Sequence, residues 1–183
     1  EDFYFNKSAI SKAAHPMICF SEYNPLTINN EIITYGKYGI GFSKSWAREK
    51  KISPVLYVSE NSTAAKGMKE LLIARRIRSL DKKLDPKLRL AIMEIKCFIK
   101  NEKGYNSNTH NPEFDFKSEN EWRFVPQKKE IKNYLISQNQ STYLNNKKKH
   151  NQKLEKFPLK FDLNDLKVVY VSNANERNEI IKL

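Results

Sequence analysis

Ser118-Glu119-Asn120-Glu121-Trp122-Arg123-Phe124-Val125-Pro126 places two carboxylates with a single residue between them in a stretch that reads as a β-strand. Successive strand side chains point to opposite faces, so Glu119, Glu121 and Arg123 share one face while Trp122 and Phe124 share the other. The aromatics anchor such a strand. The acids are then held on a rigid element, where one can orient a sugar hydroxyl or stabilise a developing positive charge. An edge strand with solvated charges is the alternative reading of the same residues.

Working back towards the N-terminus, Tyr35-Gly36-Lys37-Tyr38-Gly39-Ile40-Gly41-Phe42-Ser43 alternates Tyr38, Ile40 and Phe42 with Gly39, Gly41 and Ser43. A strand bare on one face lets a ligand or another backbone come close. Ser43 is a candidate N-cap for a helix over 44–50 with Trp46 and Ala47 inward, and Pro54 restarts the chain into the strand Val55-Leu56-Tyr57-Val58. The glycine spacing, G-x-x-G-x-G, is not that of a dinucleotide-binding fingerprint, and no phosphate-cradling P-loop pattern occurs. Upstream, Met17-Ile18-Cys19-Phe20 predicts a buried strand followed by a turn at Tyr23-Asn24-Pro25. Residues 26–34 fit either a short helix or a loop.

Between these two stretches, helical periodicity runs over 64–80 and 86–100. Met68, Leu71, Leu72 and Arg75 stripe the first helix. Leu88, Ala91, Ile92, Ile95 and Ile99 stripe the second, with Asp85-Pro86 as its start and Cys97 to Ile99 equally compatible with extended chain. Residues 101–112 read as loop. Beyond Pro126, residues 127–156 read as a polar, basic surface insertion, partly helical over 130–138. Leu159 and Phe161, the turn Asn164-Asp165, the strand Val168-Val169-Tyr170-Val171 and a helix over 173–181 close the chain. The expected architecture is a single α+β domain over 1–183, with a small mixed or antiparallel sheet flanked by helices.

The 183 residues carry a formal charge of +12, concentrated in two blocks. Residues 63–100 hold eleven Lys or Arg against four acids, and residues 127–160 hold nine against two. Such blocks can dock phosphates. The Arg75, Arg76 and Arg78 cluster and the Lys147-Lys148-Lys149 run are therefore candidate contacts for nucleic acid or a protein partner, with a solvated face as the plainer reading. Cys19 and Cys97, each in an apolar run without a Cys-x-x-Cys pair, are expected as two buried thiols in a reducing compartment. His15, His110 and His150 lack metal-ligand spacing, and no metal is expected. No apolar run approaches the roughly 20 residues that span a bilayer, so a cytoplasmic protein without membrane contact is expected. Glu1 is not an initiator methionine, which is compatible with a chain that lacks an upstream segment.

Taken in order, Met17-Ile18-Cys19-Phe20-Ser21, the Tyr35 to Trp46 stretch, Ser53-Pro54-Val55-Leu56-Tyr57-Val58 and the Glu119 to Pro126 stretch make the chain resemble the AbiGi family of bacterial abortive-infection proteins. The resemblance spans most of residues 15–126 and, more weakly, Val168 to Val171. It implies phage resistance, as the antitoxin half of a two-gene toxin–antitoxin system. More distantly, a Gly-rich strand ending in Phe-Ser, a helix, a further strand and a later Glu-x-Glu strand resemble the ADP-ribosyltransferase fold. That likeness implies NAD as substrate, held near Tyr38, Gly39, Gly41, Phe42 and Ser43, with Glu121 on the nicotinamide-ribose hydroxyl and Glu119 helping to choose an anionic acceptor. The first-strand His or Arg of that fold has no counterpart here, and Gly41 stands where an aromatic is often found. The first strand then lies upstream of Glu1, or the site is degenerate.

Three functional expectations follow. One is an NAD-dependent transferase acting through Glu121. The second is a non-catalytic antitoxin that binds a cognate toxin or defence-system subunit. The third, resting on charge alone, is a nucleic-acid-binding module.

Overall fold

The computed structural model describes residues 1–23, 36–127, 131 and 137–181. The expectations for 26–34, for most of the turn at Tyr23-Asn24-Pro25 and for most of 130–138 lie outside these residues. The chain divides into two compact units, one formed by Glu1–Glu22 and Ser53–Pro158 and the other by Tyr23–Ile52 and Leu159–Leu183.

In the first unit, β1 (Asp2–Phe5), β2 (Ser8–Ala14) and β11 (Gln138–Asn139) form one antiparallel sheet, in the order β1-β2-β11. β3 (Ile18–Ser21), β10 (Glu121–Phe124) and β5 (Ser53–Pro54) form a second, with β10 central, pairing Glu121 with Ser21 and Arg123 with both Cys19 and Ser53. β6 (Leu56–Val58) runs parallel to β7 (Ile99–Asn101), and β8 (Lys103–Asn106) pairs with β9 (Asn111–Asp115). Helices α2 (Thr63–Arg76) and α3 (Pro86–Lys96) pack on each other and, through Ala65, Met68, Leu72, Ile92 and Met93, close a core with Phe3, Ile99 and Ile131. Ile131 is fully buried in that core, so the polar segment beyond Pro126 is tied to the unit at that residue and again at β11. Two short helices follow, α4 (Gln140–Asn145) and α5 (Lys147–Leu154).

In the second unit, β4 (Gly39–Phe42) pairs antiparallel with β12 (Leu166–Tyr170). It also holds α1 (Lys44–Glu49) and α6 (Ala174–Ile181). The α+β character is as expected, but the described strands form five small sheets, four of them antiparallel.

Local chemistry sets the helix starts. Ser43 Oγ accepts from the Trp46 N–H, Ser62 Oγ from Ala65 and Asp85 Oδ1 from Lys87, each satisfying a donor that the first turn leaves open. Four expectations need correction. The loop over 101–112 contains the β8–β9 hairpin, whose turn is closed by Asn106 Oδ1 accepting from Asn108 and Thr109 and by His110 at a φ of 54°. α3 ends at Lys96, because Ile99 leaves the helical stripe to pair in β7. The strand carrying the acids begins at Glu121. Glu119 instead closes a 3-10 turn (Phe116–Glu119), and Asn120, at a φ of 43°, reverses the chain between them. Finally, Cys19 is exposed on an edge strand while Cys97 is buried. No helix among the described residues is long and apolar enough to cross a membrane.

Candidate functional site

The acids of the opening stretch do converge, by a route that strand alternation alone does not supply. Glu121 and Arg123, two apart on β10, are 6% and 2% exposed. Arg123 donates from Nε to Glu121 Oε1 at 2.7 Å and from Nη2 to Oε2 at 3.1 Å, so the pair is forked along one strand face. Its Nη1 and Nη2 also reach the two carboxylate oxygens of Glu1, both at 2.9 Å, and Nη1 donates to the Cys97 carbonyl at 2.6 Å. All five guanidinium N–H groups are thereby engaged.

Lys100, on β7, donates to Glu121 Oε2 at 3.0 Å and lies 3.5 Å from Glu119 Oε2, with its Nζ 4.1 Å from the Phe116 ring centroid. The 3-10 turn is what swings Glu119 onto the same lysine. The Glu121 N–H donates to Tyr57 Oη at 2.9 Å, fastening β10 to β6. Trp122, on the opposite strand face, donates from Nε1 to Glu22 Oε2 at 3.0 Å.

Burial by itself would raise the Glu121 carboxyl. The hydrogen bonds and charge of Arg123, with the charge of Lys100, outweigh that and hold it at about 2. The Arg123 guanidinium, which burial alone would weaken as a base, is raised by Glu121 and Glu1. Burial, with the charges of Glu121 and Glu119, pushes Tyr57 up to about 12. Protein packed around its thiol, and Glu121 beside it, push Cys19 up to about 12, although the residue has exposed surface. The cluster at neutral pH thus holds an ionised Glu121–Arg123 pair beside a protonated phenol and a protonated Cys19 thiol.

Arg123 was legible as Glu121's neighbour on one face, and its five-donor role was not. Lys100, Tyr57 and Glu1 were missed because they come from sequence-distant segments. Lys96 was missed too. It is fully buried, its Nζ 5.5 Å from the Phe3 ring and without a hydrogen bond among the described residues, and burial lowers its basicity. Nothing in a helix-end lysine signals burial.

The residues expected at the nucleotide all lie in the second unit. Tyr38 is exposed and donates to Glu176 Oε1 at 3.0 Å. The space beside the glycines of β4 is taken by β12. A Cβ on Gly41 would stand 2.3 Å from Val168 Cγ1, and one on Gly39 3.4 Å from Tyr170 Cδ2. Phe42 stacks on Trp46 at 4.0 Å between centroids and meets Phe161 edge-on at 5.1 Å. Ser43 caps α1.

The basic candidates are at the surface of the first unit. Arg75 and Arg76 end α2, with Arg75 half-buried and Arg76 bonded to the Ile10 carbonyl, and Arg78 is exposed just beyond. Lys147, Lys148 and Lys149 are exposed in the first turn of α5, where no side chain caps the helix and three cations oppose its dipole. Among the described residues no group of His, Cys, Asp or Glu could hold a metal ion.

A search of curated proteins found no match, and nor did a search of solved structures. Residues 1–172 match the family described as "Putative abortive phage resistance protein AbiGi, antitoxin". A match over nearly the full 183 residues, on a fold that carries the ordered motifs of its sequence, means that this chain belongs to the AbiGi family.

Proposed function

We propose that the chain is the antitoxin of a phage-defence pair and acts by binding and neutralising a cognate toxin rather than by catalysis. The observation that carries this reading is the engagement of Glu121, whose two oxygens accept three hydrogen bonds from Arg123 and Lys100. A carboxylate that positions a ribose hydroxyl needs an acceptor free for the substrate. Here both oxygens serve the scaffold, and the charge is neutralised before any ligand arrives.

Co-expression with the product of the adjacent gene tests the proposal. Growth arrested by that product should be restored by the chain, and the two should co-purify. Arrest that persists despite well-expressed chain overturns it. The transferase alternative, with NAD near Tyr38 to Ser43 and Glu121 acting on it, makes a different demand. Labelled NAD incubated with the chain and cell extract must then yield labelled acceptor, and Glu121→Gln must abolish it.

A further inference from the structure

Helices α2 and α3 present more apolar surface than their core uses. On α2, Met68 and Leu72 are buried while Leu71 is 41% exposed. On α3, Ile92 and Met93 are buried while Leu88 and Ile95, seven residues apart and so on one flank, are 49% and 48% exposed. Arg75, one turn beyond Leu71, donates from Nε to the carbonyl of Arg89 at 3.3 Å, next in sequence to Leu88. The leftover flank of α2 therefore runs into the start of α3.

The same corner gathers positive charge well in excess of its acids. Burial and then the guanidiniums of Arg89, Arg78 and Arg76 weaken Arg75 as a base, and no carboxylate acts in the other direction. None of these four arginines forms an ion pair among the described residues. Residues 75–89 hold seven Lys or Arg against two acids, of which Asp85 is engaged in capping α3. Arg75 and Arg89 are already steadied by helix carbonyls, the latter through Nη1 on Ile77 at 3.3 Å, so less side-chain freedom remains to be lost on binding.

Apolar side chains beside guanidiniums that form no ion pair among the described residues match a protein surface with an apolar centre and an acidic rim. A phosphate backbone would use the arginines and leave Leu71, Leu88 and Ile95 in water. We propose that the α2–α3 corner is where the chain holds its toxin, with Asp or Glu side chains of the toxin on Arg75, Arg76, Arg78 and Arg89 and an apolar patch on Leu71, Leu88 and Ile95. This rests on the neutralising role proposed above and names its surface.

Isothermal titration of the full chain, Arg78→Glu and Ile95→Asp against the purified adjacent-gene product tests it, with a single-stranded DNA of about 20 nucleotides as second probe. Arg78 is exposed and makes no hydrogen bond among the described residues, so its substitution should leave circular dichroism and Tm unchanged and keeps the test valid if Ile95→Asp fails to fold. Arg78→Glu should weaken the toxin by about tenfold or more, with Ile95→Asp doing the same where folded. Toxin bound equally tightly by Arg78→Glu and the unsubstituted chain overturns the surface and leaves neutralisation standing. No binding by the unsubstituted chain removes the neutralising reading and this inference together. DNA bound by the unsubstituted chain and lost in Arg78→Glu, with toxin binding intact, reassigns the corner to phosphates.

Discussion

Arg123 is the residue around which the strand bearing the acids is built, because its guanidinium joins Glu121, Glu1 and the carbonyl that follows α3. Arg123→Ala strands the buried carboxylate of Glu121 and the half-buried one of Glu1 and should cost about 3–5 kcal/mol in urea unfolding. The pair replacement Glu121→Gln with Arg123→Met should cost less than Arg123→Ala alone, since it removes the buried one of the two uncompensated charges. The carboxyl of Glu121 also sets an acid limit. Its pKa of about 2 in the folded chain lies below the ordinary 4.5, so its stabilisation is complete above about pH 4.5 and lost as pH falls towards 2. On the order of 3 kcal/mol should disappear across that window. Glu121→Gln should flatten this part of the stability–pH curve, and an unchanged slope would place the acid sensitivity elsewhere.

At the scale of elements, the glycines of β4 are explained by close approach to β12. Gly41 is opposite Val168, whose short branched side chain cannot swing clear of an added methyl. Gly41→Ala should therefore destabilise by about 1–3 kcal/mol, and Val168→Ala in the same chain should recover part of that loss. Glycine alternation predicted a close neighbour on the bare face without identifying it, since strand, ligand and backbone all satisfy the same pattern. Caps were legible at Ser43 and Asp85 because an N-cap is a contact within one helical turn. The hairpin of β8 and β9 was not, because Asn, Gly and Ser residues are shared by loops and by short paired strands.

Across the whole molecule, the two tryptophans divide between the two units, Trp122 in the first and Trp46 in the second. Fluorescence of a Trp46→Phe chain should therefore report the loss caused by Arg123→Ala, and that of a Trp122→Phe chain the loss caused by Gly41→Ala. A Gly41→Ala effect absent from Trp46 emission would contradict the packing of β4 on β12. The chain's interleaving was hidden from the sequence, since β4 and α1 join β12 and α6 across more than a hundred residues of the other unit.

The order of residues alone determined the mixed α+β character, the starts of α1 and α3, the alternation that puts Glu121 with Arg123 and the family to which the chain belongs. Each depends on neighbours within a turn or a strand, or on motif order. Only the tertiary structure decided that Glu121 is engaged by Arg123 and Lys100, that Lys96 is buried, that β12 fills the space beside the glycines, and that Leu71, Leu88 and Ile95 remain outside the core. Those outcomes turn on which distant segment arrives at a given face, and a side chain's periodicity specifies a face without specifying what will cover it.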